Sequence, residues 1–557
     1  MKKLFILSIV ISGMFTACDD SLLDVKPSTF ISNESIWEEE GLIEQNLANI
    51  YGTTLTPFTR KGDLYDIPAF SHIDLATDDG NGKIDAAIQL FNTGGITPSN
   101  APYANEFWSE NYKLIRRANV FLEGVAKVSD DVIAADKVAT YIAEVRFLRA
   151  FAYFELVKTF GGVPLIDRVQ GISDDDILLP RNSIEEVYTF IFSECDFAAD
   201  NLETDVISGH ASKGAALALK SKAMLYYASP LNNPGNDIAR WSDAADAAKD
   251  VMDLGKYGLF PDYRGLFLAA NEGNEESIFE RQFQFPESVH TIDVTWGMWF
   301  RSVPGAGTWG GFSPTQDIVD AYEMTNGLPI NDSSSGYDPN DPYKNRDSRL
   351  DATIVYNGSS WRGVENVGFY TDYSEDPQLA GNAHTNKAVN CGYGLKKFDE
   401  EAPIGTALSN GSYAQENNYM LFRYAEVLLN YAEAQNEAVG PDQGVYDAIN
   451  QVRNRAGQPN LPEGLSKDEM RSRIWNERRV ELVYEEHRFF DVRRWKKGME
   501  VFNKPIHEAL AVRQSDGSFV YTYPEKEDRT YREHFDFLPI PIGEIEKNPN
   551  LVQNPGY

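Results

Sequence analysis

The chain has 557 residues, 12% of them aromatic, and a formal charge of 51 − 84 = −33. A surface this acidic repels phosphate backbones, which excludes nucleic acid as a partner and favours neutral or cationic ligands. Three cysteines are too few for a disulfide framework, and after the first twenty residues no stretch is apolar enough to cross a bilayer.

Lys2 and Lys3 open the chain, and Leu4 to Phe15 form an apolar run of about a dozen residues. That is short of the roughly 20 residues a helix needs to span about 30 Å of hydrocarbon. Small residues, Thr16 and Ala17, precede Cys18. The arrangement resembles a bacterial lipobox, with Phe15 where Leu is commoner. The peptide is cut before Cys18 and the thiol is acylated; the alternative is an ordinary secretory signal with an incidental cysteine. Several acyl chains on one residue give durable anchoring. Residues 1–17 are therefore read as a lipoprotein signal peptide, and 18–557 as a single tethered body. Cys195 and Cys391 are expected as two buried free thiols.

Beyond the anchor, two textures alternate. The first is helical. In 107–125, Trp108, Tyr112, Ile115, Asn119 and Leu122 recur at three- and four-residue steps. A second helix is predicted over 141–160, stopped by Gly161, Gly162 and Pro164. Ala-rich helices are predicted over 215–228 and 241–254, and the arrangement returns over 419–438 and 445–456. Small residues let such helices pack closely while aromatics fill the gaps, the texture of tetratricopeptide units or of plain antiparallel helix pairs. The fold class is thus mainly α, a helical scaffold over roughly 35–260 and 415–500. The second texture is irregular, rich in Gly, Pro, Asn, Ser and aromatics. It makes 261–414 a loop-rich region of the kind that carries function.

Three motifs point to chemistry on paper. DDGNGKID, from Asp78, puts Asp79 and Asn81 at calcium-loop positions, but the terminal bidentate carboxylate is replaced by Ile88. A polar turn that touches ligand through Asp79 and Asn81 is the better reading, and no metal is expected. GAGTWG, from Gly305, satisfies a dinucleotide pattern but follows Pro304 rather than a strand, and Pro314 interrupts the helix the pattern requires. YEEHRFF lacks the spacing that sets two histidines on one helical face. The dense charges from Arg471 to Arg494 are read as helix-surface and inter-helix ion pairs. No nucleophile elbow, P-loop or distinguishable carboxylate pair is present, so no catalytic residue and no cofactor are expected.

The remaining signal is aromatic. Trp296, Trp299, Phe300, Trp309 and Phe312 fall within TWGMWFRSVPGAGTWGGF, a loop-like stretch. The apolar face of a pyranose lies flat on an indole, and its hydroxyls need planar or charged partners at the edge, a task suited to Arg301. A rigid aromatic loses little side-chain entropy on binding. Trp309, flanked by Gly307, Gly310 and Gly311, is the foremost candidate. Trp361 with Arg362, and Tyr103 ahead of a helix, are further candidates.

CDDSLLDVKP, FWSENYKLIRRAN, EVRFLRAFAYFELVKTFGGVPL, PTQDIVDAYEMTNG, DPYKNRDSRLDATI, YMLFRYAEVLLNYAEAQNE, NERRVELVYEEHRFFDVRRW and the closing FLPIPIGEIEKNPNLVQNPGY occur in that order. Together they resemble the SusD/RagB family of outer-membrane nutrient-binding lipoproteins, whose C-terminal motif corresponds to 530–557. The resemblance implies an α-helical fold with four tetratricopeptide-like units. It also implies a non-catalytic role: capture of an oligo- or polysaccharide at the cell surface and delivery to a TonB-dependent, SusC-like porin. Asp19 and Asp20 are similar to the family's surface-export signal, and Cys18 then joins the protein to outer-membrane lipid. Alternatives are a peptide-binding subunit of the RagB kind and a glycoside hydrolase.

Overall fold

The computed structural model describes residues 35–54, 73–82, 86–174, 177–207, 209–290, 292, 311–372, 383–384, 390–401 and 415–557. Cys18 and the stretch holding Trp296, Trp299, Arg301 and Trp309 lie outside the described residues.

Among the described residues nine long helices carry the architecture: α1 (Glu40–Thr54), α2 (Pro102–Val125), α3 (Ala135–Phe160), α4 (Ile184–Asn201), α5 (Lys213–Ala228), α6 (Ile238–Asp253), α7 (Tyr424–Val439), α8 (Gln443–Arg455) and α9 (Lys467–Glu481). From α2 to α8 each packs on the next, and α9 returns onto α7. Alanines make this close approach possible. Ala215, Ala216, Ala218 and Ala223 of α5, Ala244, Ala245 and Ala248 of α6, and Ala425, Ala432 and Ala434 of α7 are all buried. The α6–α7 contact closes the series across some 170 intervening residues (253 to 424), so the loop-rich region is an excursion from a continuous helical stack.

Helix ends follow local chemistry. Ser183 and Ser466 open α4 and α9 with reciprocal capping boxes to Glu186 and Glu469. Gly161 closes α3 at φ +75°. At Gly162 a Cβ would stand 2.1 Å from the Asn182 carbonyl oxygen, so only glycine fits beneath the returning chain. One element departs from the periodicity reading. Residues Tyr419–Arg423, expected as the start of a helix, form a strand paired antiparallel with Ser277–Arg281. Tyr419, Met420, Phe422 and Arg423 are all buried, and a segment buried on both faces carries no alternation to betray it.

The strands are short. In chain order they are β1 (Gly80–Asn81), β2 (Ser277–Arg281), β3 (Ser313–Pro314), β4 (Ile354–Val355), β5 (Tyr370–Asp372), β6 (Ala383–His384), β7 (Gly394–Leu395), β8 (Tyr419–Arg423), β9 (Ile506–His507), β10 (Leu510–Arg513), β11 (Phe519–Thr522) and β12 (Glu525–Glu527). They pair as β1–β3, β2–β8, β4–β7 and β9–β12, with one four-stranded sheet ordered β11–β10–β5–β6.

A main apolar core runs from Ile43 in α1 to Leu551 near the C-terminus. Beside it, buried charge joins the excursion to the stack. Arg349 bonds Glu477 at 2.6 Å and Glu481 at 2.9 Å; Arg423 bonds Glu276 at 2.7 Å, Glu481 at 2.6 Å and Glu485 at 2.7 Å. Arg455 adds a contact to Glu276 at 2.9 Å, and Lys397 one to Glu485 at 2.6 Å. Each ion is costly to bury alone and tolerable only because it is hydrogen-bonded to partners of opposite sign. The charges of 471–494 are accordingly more interior than a helix surface: Arg478 and Arg494 are buried against Asp491 and Glu433. Cys195 and Cys391 are buried free thiols.

Candidate functional site

The site builds from the polar turn at 77–82. Thr77 closes it, its hydroxyl donating to the Asp74 carbonyl at 2.6 Å and accepting the Asp79 N–H at 3.1 Å. Gly80 then pairs with Pro314 and Asn81 with Ser313. The register sets this turn against the first described residues after the tryptophan-bearing stretch, two positions beyond Trp309. Ser313 Oγ donates to the Tyr393 carbonyl at 2.8 Å and accepts the Cys391 N–H at 2.9 Å, bringing a third segment alongside. Asn81 bridges Asn390 and Glu527, the latter at 3.0 Å. Four segments remote in sequence thus form one floor at the root of the tryptophan-bearing stretch.

Charge and aromatic contacts hold that floor from behind. Arg479 reaches Asp79 at 2.5 Å and Asp78 at 2.9 Å, and Arg488 reaches Asp78 at 2.8 Å. Tyr484 donates its hydroxyl to the Asp79 carbonyl at 3.0 Å and meets Phe312 edge-on, centroids 4.7 Å apart. Tyr484 and Glu486 both sit at φ +63°, a conformation non-glycine residues rarely keep unless their surroundings impose it. Here the Tyr484 hydroxyl and the Glu486 N–H, which donates to Asp74, impose it. Burial opposes ionisation of Asp78, but Arg479 and Arg488 outweigh it and hold its carboxyl below the ordinary range. Burial pushes Asp79 the other way, up to about 6, with Asp78 adding to the rise and Arg479 opposing it.

Asp79 and Asn81, each 1% exposed, therefore serve as structural partners rather than as the ligand-touching turn expected. The other described candidates are likewise occupied. Tyr103 is not in a loop but in the first turn of α2, stacked on Phe107 at 4.5 Å with Phe91 against its edge. Trp361 is 2% exposed, packed with Val355, Val367 and Phe369 and ringed by Arg264, Arg362 and Lys396 at 5.4–5.8 Å. Arg362 bonds Asp399 at 2.8 Å and the Glu400 carbonyl at 3.1 Å. The residues that sequence reasoning missed are Ser313, Asn390, Tyr484 and Glu527. No local pattern marks them, since their partners lie far away in the sequence. Among the described residues no group of three or more His, Cys, Asp or Glu is placed to hold a metal ion.

Residues 275–557 match the family model described as the SusD family, and residues 23–225 match one described as starch-binding associating with outer membrane. The chain belongs to the SusD family. It is similar to SusD-like protein P2 of Formosa agariphila, 27% identical with both chains covered in full. Among solved structures it is similar to a SusD-like protein of Bacteroides fragilis, 29% identical over 94% of this chain and 99% of the other, TM-score 0.78. A SusD-like carbohydrate binding protein of the same organism is 27% identical over 93% of this chain and 100% of the other, TM-score 0.76. No described helix is long and apolar enough to cross a membrane.

Proposed function

We propose that the protein is a non-catalytic glycan-binding lipoprotein. It is held to the outer membrane by acylated Cys18, exposed at the cell surface, and passes captured oligo- or polysaccharide to a TonB-dependent porin. The observation that carries this reading is family membership across nearly the whole chain, including the model described as starch-binding and associating with outer membrane. The carbohydrate-binding relative of the same fold supports the ligand class. The ligand platform is assigned to the tryptophan-bearing stretch, Trp296, Trp299 and Trp309 with Arg301. Stacking on indole tolerates many sugars, so the platform suits repetitive glycans bound weakly at each unit.

Affinity electrophoresis through gels with embedded polysaccharides tests the reading. Retardation by at least one glycan, with no release of reducing ends on prolonged incubation, is the expected result. Released reducing ends would establish hydrolysis instead, and retention on peptide but on no glycan would establish a peptide-binding subunit.

A further inference from the structure

Between α1, the start of α3, the 203–211 connection and the end of β2 lies a cavity of about 720 Å³. It shares no residue with the floor around Asp79 and Ser313. Its walls carry an unusual residue of unused hydrogen-bonding capacity.

Most polar groups lining it are already satisfied. Lys137 bonds Glu40 at 2.5 Å and Glu44 at 2.7 Å, and Tyr141 donates to Glu44 at 2.8 Å. Tyr51 donates to Glu144 and accepts the Ala211 N–H at 2.9 Å. Glu280 is held by Asn418 and Ser277, and Asp205 by Lys256. Glu203 is an exposed carboxylate at the rim. Two donors remain. Among the described residues the half-buried Arg281 guanidinium makes no ion pair or hydrogen bond, and the Phe283 ring lies 5.5 Å from it. His210 donates its Nδ1–H to Glu144 at 2.8 Å, so its Nε2, which has no hydrogen bond among the described residues, is a donor only when the ring is protonated. Burial alone pulls the Arg281 pKa down, the signature of a cation short of a counter-ion, while the Glu144 hydrogen bond raises that of His210. A desolvated guanidinium with a planar fork unspent is a site for a planar or tetrahedral oxyanion.

We propose that this cavity is an anion-recognising subsite that takes the carboxylate or sulfate ester of an acidic sugar, gripped by Arg281 with Nε2–H of the His210 imidazolium as second donor. The charge preference rests on the cavity alone; the sugar rests on the glycan-binding reading above.

Calorimetric titration of the full-length protein with glucuronic acid, glucose 6-sulfate and glucose tests it. At least one acid is expected to bind saturably, with glucose at least tenfold weaker. Arg281→Gln should lose tenfold or more in acid affinity at an unchanged thermal midpoint. Arg281→Lys, which keeps the charge but not the fork, should lose several-fold and decides the matter should the Gln variant fold poorly. The proposal is overturned if neither acid binds, if glucose binds equally, or if the Arg281 variants bind normally. It is also overturned if Trp309→Ala, rather than the Arg281 variants, abolishes acid binding. Loss of polysaccharide retention with glucuronate binding intact strikes the tryptophan platform and leaves this site standing.

Discussion

Asp79 and Arg479, 400 residues apart in the chain, meet at 2.5 Å in the interior. The pair ties the polar turn, and through β1 and β3 the root of the tryptophan-bearing stretch, to the last helix of the stack. Asp79→Ala should remove this tie while Asp78 continues to satisfy part of Arg479. We expect a loss of about 1.5–3 kcal/mol in urea unfolding, the range for a hydrogen bond to a charged group, together with weaker polysaccharide retention. Unchanged stability would show that the turn is held by Tyr484 and Thr77 alone.

Trp309→Ala should separate binding from stability in the opposite sense. Losing a stacking platform costs about 1–3 kcal/mol by analogy with base–aromatic stacking, or roughly ten- to a hundredfold in affinity. Thermal unfolding should stay put. A melting temperature lowered by several degrees would place Trp309 in the core.

Arg423 bonds three carboxylates of the buried network, Glu276, Glu481 and Glu485. Arg423→Met leaves Glu276, Glu481 and Glu485 one buried cation short, with only Arg455, Arg349 and Lys397 still reaching them. A loss of about 3–5 kcal/mol is expected. Adding Glu481→Gln should restore part of that loss, a non-additivity visible in a double-mutant cycle.

Acid should weaken the fold through its buried imidazoles. His290 is fully buried, and burial lowers its pKa from 6.5 to about 4; burial also lowers that of His487. Between those two pH values the unfolded chain binds more protons than the folded one. The His290 contribution is therefore complete above pH 6.5 and lost as pH falls towards 4, by about 3 kcal/mol. Urea unfolding free energies measured from pH 7 to 4 should show this slope, and a His290→Gln variant should flatten it. An identical slope in the variant would assign the acid sensitivity to other groups.

Cys18→Ser tests the anchor. The folded body should be unaltered, with the same unfolding midpoint, while the protein leaves the membrane fraction for the soluble one. Retention after the exchange would mean that a partner in the membrane holds the body.

The helical scaffold was legible because its signal is local. Trp108 and Leu122 announce one face of α2, and the run of alanines in α5 announces a helix built for close neighbours. Boundaries were less so: α3 begins at Ala135, ahead of the expected 141, because the polar first turn shows no periodicity. Tyr419–Arg423 was misread as helix since a strand buried on both faces looks like any apolar run. The candidate site was harder still. Trp361 reads as a loop-borne platform because nothing in its neighbouring letters reveals that Arg264 and Lys396 lie over its ring, whereas Phe107 reaches Tyr103 from four positions on once 102–125 is helical. Likewise DDGNGKID read as a ligand turn because its partners, Arg479 and Arg488, lie some 400 positions away.

The segment around Asn554 joins the helical stack by a similar long-range closure. Asn554 donates its amide to the carbonyls of Phe160, at 3.0 Å, and Leu538, at 2.7 Å, and its oxygen accepts from Arg181 at 2.8 Å. The C-terminus of α3 is thus finished by residues 394 positions downstream. Closing so wide a loop must precede the reward for closing it, which slows folding. A ribosome that has delivered the first helices has not yet delivered the piece that seals them. The stack is consequently sealed late, only once the segment around Asn554 has reached the end of α3.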